Sequence, residues 1–254
     1  MRFSANLGFL WTDLPLPDAI RAAARAGFDA VECHWPYDTP PGEVRAALAE
    51  TGLPMLGLNT ARGDVAAGDN GLAALPGRAA EARAAIDQAL DYARAIGAGA
   101  VHVMAGKAQG AAARAVFAEN LAYACAGAAE KDGITVLIEP LNAFDAPGYF
   151  LTDTGLAQAV IEKVGAPNLR LMFDCYHVGR TEGDVTARLR ALWPLIGHIQ
   201  FAAVPDRGAP DHGDVDYTRV FREIDALGWS RPLGAEYRPA GPTEASLGWM
   251  QSLR

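Results

Sequence analysis

Long hydrophobic runs are missing from the chain: none approaches the roughly 20 residues that span a bilayer, so a membrane protein is not expected. The opening residues, Met1 to Asp13, hold no basic segment followed by a long apolar stretch. They give no sign of a secretory signal, and a cytoplasmic protein is the expectation. Basic residues are outnumbered, 22 Lys and Arg against 30 Asp and Glu, for a formal charge of −8. A large nucleic-acid surface would need a basic stripe and is disfavoured. A small anionic substrate is not, because a metal ion and a few local cations can invert the field inside a pocket. Cysteine is scarce: Cys33, Cys125 and Cys175 are an odd set without C-x-x-C spacing, and they read as reduced thiols filling core space. No G-x-G-x-x-G follows the first apolar run, which removes the commonest nucleotide-binding version of an open α/β sheet.

What is present is alternation. Short, nearly continuous apolar runs at Arg2–Leu7, Ala30–His34, Pro54–Thr60, Ala100–Gly106, Thr135–Asn142, Leu169–Cys175, His198–Ala203 and Pro232–Arg238 suit strands buried on both faces of a parallel sheet. Helical patterns lie between them, at Asp18–Ala26, Glu43–Glu50, Arg78–Ile96, Arg114–Lys131, Asp153–Val164, Asp184–Leu195, Tyr217–Leu227 and Glu244–Leu253. In the longest, Ala82, Ile86, Ala89, Ala93 and Ile96 recur at three- and four-residue steps and form one apolar face. Eight strand–helix units in 254 residues average about 32 residues each, the length of a βα repeat. No linker or composition break interrupts them. The expected fold is a (β/α)8 TIM barrel, with residues 1–254 forming one domain.

Active residues of such a barrel sit at the C-terminal strand ends. Here strand five ends on Glu139, strand six on Asp174, strand seven contains Gln200 and strand eight ends on Glu236. The spacings of 35, 26 and 36 residues (174 − 139, 200 − 174, 236 − 200) each fit one βα unit, so the four side chains can converge. Three converging carboxylates would repel one another, and a divalent cation resolves the conflict. An all-oxygen donor set favours Mg²⁺ or Mn²⁺. The competing reading is a salt-bridged barrel core. His177, three residues beyond Asp174, is placed to hydrogen-bond a substrate oxygen, and Lys107 and Arg207 are candidate grips for a substrate carboxylate. His102, between Val101 and Val103, reads as core away from the rim. Glu32 and His34 are supporting candidates at the end of strand two. Trp11, Trp35 and Tyr37 read as packing near the first rims that would also exclude water.

The motifs RFSANL, PYD, GDVAAGDNG with ALPGR, VHVMAGK, LIEPLN with PGYFLTD, FDCYH, GHIQ, and EYRP with TEASLGWM run in order from Arg2 to beyond Trp249. Together they resemble the hydroxypyruvate isomerase family of the xylose-isomerase-like barrels. The resemblance implies Glu139, Asp174, Gln200 and Glu236 as ligands of a divalent metal ion, with Glu139 and Glu236 as the catalytic pair. It implies an aldose–ketose type isomerisation of a small anionic hydroxy-oxo acid through an enediolate, foremost hydroxypyruvate to tartronate semialdehyde. Some motifs, LNTARGD, VHVMAG and VPDR among them, resemble 2-oxo-tetronate isomerases instead. The chain departs from both where the family reads R-x-E-P: it has Arg207-Gly208-Ala209-Pro210, and Asp211 or Asp214 could stand in for the missing carboxylate. Three rivals remain. An abasic-site endonuclease would want more than five histidines and a basic groove, a ketose 3-epimerase would place His at Gln200, and a binding-only barrel would not need the paired Glu139 and Glu236. Barrels of this kind often self-associate, which allows a homo-oligomer.

Overall fold

A computed structural model describes residues 1–129 and 133–253. Eight parallel strands, β1 (Phe3–Asn6), β2 (Ala30–Glu32), β3 (Leu58–Asn59), β4 (Ala100–His102), β5 (Thr135–Ile138), β6 (Leu169–Asp174), β7 (Ile196–Phe201) and β8 (Leu233–Ala235), pair in the order 2-1-8-7-6-5-4-3. The remaining seam is joined by backbone bonds from Val31 N to Pro54 O (3.0 Å), Leu56 N to Val31 O (2.8 Å) and Asn59 N to His34 O (2.8 Å). The sheet thereby wraps into a barrel. Seven of the eight apolar runs contain their strand, while β7 begins at Ile196, two residues before the run expected from His198. The helices are α1 (Leu16–Arg25), α2 (Pro41–Thr51), α3 (Ala79–Ile96), α4 (Gly110–Ala129), α5 (Thr154–Val164), α6 (Cys175–Thr181), α7 (Val185–Leu192), α8 (Tyr217–Ala226) and α9 (Trp249–Leu253). None is long and apolar enough to cross a membrane.

The differences from expectation have local causes. α6 was not expected, and it begins directly after β6 because the Asp174 side chain accepts from Tyr176 N (2.9 Å) and caps it. Pro194, which lacks an N–H, falls where the helix over Asp184–Leu195 should have continued; α7 stops at Leu192 and Trp193–Leu195 forms a 3-10 turn. The last helical pattern splits into a 3-10 turn at Thr243–Ser246 and α9. The expected end of the fourth helix at Lys131 lies outside the described residues.

Strand residues alternate between two environments. Outward-facing Phe3, Phe201 and their neighbours pack on the helices, with Phe3 and Trp249 ring centroids 4.9 Å apart and Phe201 and Phe221 5.0 Å apart. Among the described residues, Ala100, Leu137 and Met172 form a separate apolar cluster inside the barrel, and Asn6, Glu32, His102, His198 and Gln200 give the lumen a polar part. β7 bulges at Gly197, since Leu171 pairs Ile196 while Met172 pairs His198. A Cβ on Gly197 would stand 2.3 Å from Arg170 Cβ, so only glycine fits there.

Candidate active site

Asp174 and Gln200 are register partners on β6 and β7, Glu139 follows the last residue of β5, and Glu236 follows the last residue of β8. His177 lies in the first turn of α6. All five are buried, none more than 5 % exposed. Glu139 Oε1, Asp174 Oδ2, Gln200 Oε1 and His177 Nε2 have no hydrogen-bond partner. Donor atoms of Glu139, Asp174 and His177 lie within 4.8 Å of one another, close enough to hold one metal ion.

The neighbours decide what each atom can do. Gln200 Nε2 donates to Glu32 Oε1 (2.8 Å), which turns its carbonyl oxygen away from Glu32 and leaves it free. His177 Nδ1 accepts the backbone N–H of Asn142 (3.0 Å), so the neutral ring carries its proton on Nε2. Burial, with the charge of Arg207, pushes the His177 pKa down to about 3 and keeps the ring neutral. That Nε2–H is 3.6 Å from Asp174 Oδ2 and 3.8 Å from Glu139 Oε1. His177 is therefore set up to donate to an oxygen rather than to bind a cation. Three unpartnered oxygens, on Glu139, Asp174 and Gln200, remain as the donor set that a hard divalent cation takes. These buried groups could hold a metal ion.

Both oxygens of Glu236 are engaged. Oε1 accepts from Asn6 Nδ2 and lies beside His34 Nε2, each at 2.9 Å, while Oε2 accepts from Arg207 Nη2 at 2.6 Å. Burial works against the ionised form, but the charges of Arg207 and His34 outweigh it and hold the Glu236 pKa at about 2. Glu139 has no such counter-ion, and burial together with Glu236 and Asp174 raises it well above the usual carboxylate range. Asp174 is raised to about 7 by burial and by Glu236.

Arg207 reaches the cluster from the loop after β7. Its backbone adopts φ 59°, its N–H donates to Ala203 O (2.9 Å) and its carbonyl accepts from Arg238 N (2.7 Å). The guanidinium lies between the rings of Phe9 (4.7 Å) and Tyr176 (4.9 Å) and is buried. Besides Glu236, the carboxylate nearest to it is Asp145, at 3.5 Å. Neither sequence candidate fills that role: Asp211 and Asp214 are exposed, and Asp211 binds His212 instead. Lys107 is also exposed, and among the described residues no ion pair links it to the cluster.

His102 departs from the expectation of a core residue remote from the rim. It is buried, yet it points into the lumen, with Nδ1 3.6 Å from Glu139 Oε2 and neither ring nitrogen partnered. Glu32 ties together Asn6, His198 and Gln200. Trp11 donates to Glu244 (2.6 Å) and Tyr37 packs on Tyr92, so both belong to the packing. Trp35 lies beside His34 and under Arg62. The sequence pattern did not single out Asn6, Asn142 or Asp145, although Asn6 lies within RFSANL, Asn142 closes LIEPLN and Asp145 lies between LIEPLN and PGYFLTD.

The model of the xylose isomerase-like TIM barrel family matches residues 20–253. The chain belongs to that family. Within it, the chain is 48% identical to the 2-oxo-tetronate isomerase of Cupriavidus necator, over 98% of this chain and 97% of that one. It is 38% identical to the hydroxypyruvate isomerase of Escherichia coli over the full length of both. Among solved structures, a Brucella melitensis protein described as an AP endonuclease of family 2 superposes with a TM-score of 0.95 at 37% identity, covering 100% and 99% of the two chains. The apo 3-keto-D-glucoside 4-epimerase of E. coli shares this xylose isomerase-like fold, with a TM-score of 0.82 at 21% identity over 98% of each chain.

Proposed function

We propose that this protein is a metal-dependent isomerase of a small hydroxy-oxo acid, with a 2-oxo-tetronate ahead of hydroxypyruvate as substrate. The observation that carries the reaction class is the set of unpartnered oxygens on Glu139, Asp174 and Gln200, buried beside a second, fully hydrogen-bonded Glu236. The order of substrates rests on 48% identity to a 2-oxo-tetronate isomerase against 38% to a hydroxypyruvate isomerase.

Glu139, Asp174 and Gln200 would hold Mg²⁺ or Mn²⁺ through their free oxygens, and Glu236 would join them as the fourth ligand by giving up one of its present hydrogen bonds. When bound, such an ion supplies Lewis acidity to the substrate's carbonyl and hydroxyl oxygens. Glu139 takes the proton from the hydroxylated carbon and returns it to the neighbouring carbonyl carbon, through the carboxylate oxygen that does not face the ion. Atoms balance with two proton transfers: the carbon-bound proton leaves one carbon and joins the next, and the hydroxyl proton passes to the former carbonyl oxygen as the enediolate forms and collapses. Glu236 stays ionised because His34, Asn6 and Arg207 hold it. His177 Nε2–H donates to a substrate oxygen, and Arg207, the buried cation at the rim, faces the substrate carboxylate. Lys107 serves only the outer edge of such a pocket.

An endonuclease reading, suggested by the description of the Brucella protein, receives less support. A formal charge of −8 opposes a phosphate backbone, and the described residues offer one three-residue metal cluster. The deciding test is a turnover panel with Mg²⁺ or Mn²⁺ on 2-oxo-tetronates, hydroxypyruvate and free ketoses. Isomerisation of the acids is expected, with Glu139→Gln slowing it by about 10²–10⁴-fold. Full turnover by that variant, or preference for a free ketose, would overturn the reading.

A further inference from the structure

One cavity of the molecule is not at the rim. It lies deeper in the barrel, toward the N-terminal strand ends, as a chamber of roughly 240 Å³. Its roof is made by Asn6, Glu32, His102 and Gln200, the side chains beneath the candidate active site. Its wall is the apolar trio Ala100, Leu137 and Met172. Its mouth is framed by Gly99, Thr135, Gly197 and Arg231. A (β/α)8 barrel normally fills this volume with layers of branched side chains. Here alanine and glycine stand at Ala100 and Gly197, and the space is left open.

Charge is distributed unevenly along the chamber. The roof carries the Glu32 carboxylate, and the mouth carries Arg231, with Arg170 one bulge away. Arg231 stacks on Trp229 at 4.5 Å and has no carboxylate partner among the described residues. Burial, together with the like charge of Arg170, lowers its pKa, as expected for two guanidinium groups left without an anion. At the far end, His102 is 3% exposed, lines the chamber and has two unpartnered ring nitrogens. A polar side chain so deeply buried without a partner marks a space built to be occupied.

We propose that this chamber is a second binding site, distinct from the rim, for a short amphipathic monocarboxylate. The field orients the ligand: Glu32 repels an anion from the roof, so the carboxylate stays at Arg231 and the apolar chain runs inward past Ala100, Leu137 and Met172. Three strand residues separate Gly197 at the mouth from Gln200 in the roof, about 10 Å at ~3.3 Å per residue, which admits a chain of about six carbons. The ligand's inner end reaches the group that orients Gln200, since Glu32 Oε1 accepts from Gln200 Nε2 at 2.8 Å.

The test is calorimetric titration of the full chain with hexanoate, with 1-hexanol as the uncharged control. Saturable binding at one site is expected, with Kd on the order of 1 mM. Arg231→Gln, which removes the charge at the mouth and keeps the fold, should weaken it by about tenfold or more, the loss of a charge-assisted hydrogen bond. Ala100→Leu, which fills the chamber, should abolish it, and Arg207→Gln at the rim should leave it within about twofold. Four results would overturn the proposal: no saturable binding, equal affinity in the Arg231→Gln protein, equal affinity for 1-hexanol, or loss of binding in the Arg207→Gln protein.

Discussion

Replacing Arg207 by Gln should destabilise the metal-free protein and strengthen its hold on a divalent cation. In the metal-free site Arg207 is the principal counter-ion: Nη2 lies 2.6 Å from Glu236 Oε2 and 3.8 Å from Asp174 Oδ2, with the side chain buried. Breaking a buried pair by removing one partner costs about 3–5 kcal/mol. The lower end applies, because Asp174, already raised to about 7, can take a proton and relieve part of the repulsion. For a chain of this size about 3 kcal/mol lowers the melting temperature by about 6–12 °C. Glu236 gives the pH signature. Its folded pKa of about 2 lies below its ordinary value, so the pair contributes stability that is present above that ordinary value and is lost as pH falls through about 2. The gap between wild type and variant should therefore narrow in acid. The guanidinium also opposes a second cation: unit charges about 4 Å apart interact by about 4 kcal/mol at an effective dielectric near 20. If a third of that is realised, affinity for Mn²⁺, read by electron paramagnetic resonance, should rise about tenfold. An unchanged melting temperature in the metal-free variant, with unchanged Mn²⁺ affinity, would refute the reasoning.

The metal-free wild type carries its own pH dependence. Burial and Glu236 raise the folded Asp174 pKa from 3.8 to about 7, so the folded state binds the extra proton between those values. Stability should fall as pH rises across that window, with the cost fully present above it, and saturating Mg²⁺ should flatten the melting-temperature profile. Gly234→Ala would put a Cβ 2.6 Å from Glu32 Oε1 and 2.8 Å from Gln200 Cγ. It should lower stability by about 1–3 kcal/mol in denaturant titration and weaken Mn²⁺ binding, whereas unaltered binding would detach Glu32 from the site. Cys33 and Cys125 are pushed up to about 12 by burial, and burial also raises Cys175 well above its ordinary value, so no thiol should react with a disulfide reagent until the protein is unfolded. A rapidly labelled native thiol would contradict that.

The barrel was legible because its strands are buried on both faces and stand out as apolar runs, and because their carboxylates lie where each run stops. Boundaries were less legible. The α6 helix has only seven residues and no apolar periodicity of its own; what starts it is the Asp174 side chain, which the sequence presents as a site residue rather than a cap. The loop carrying Arg207 misled in a different way. Counting along the chain suggests Asp211 or Asp214 as its acidic neighbour, but the φ of 59° at Arg207 turns the side chain back toward Tyr176 and Asp145, on the strand-five and strand-six rims.

The polar lumen was beyond any reading of spacing. Glu32 meets His198 and Gln200 across 166 and 168 residues, His34 meets Glu236 across 202, and Asn6 meets Glu236 across 230. Such partners are fixed by closure of the barrel, which brings β1 and β2 beside β8, and not by local pattern. Strand parity could nevertheless have pointed at them. Glu32 alternates with outward-facing Val31 and Cys33, and His102 with Val101 and Val103, so each must face the lumen once the barrel is accepted. A charged or imidazole side chain in a barrel lumen has no solvent to satisfy it and must find a partner or a ligand. Glu32 finds three, and by holding Gln200 through its amide nitrogen it decides which end of that side chain faces the carboxylates. His102 finds no hydrogen-bond partner, and it stands where the site at the rim gives way to the chamber below.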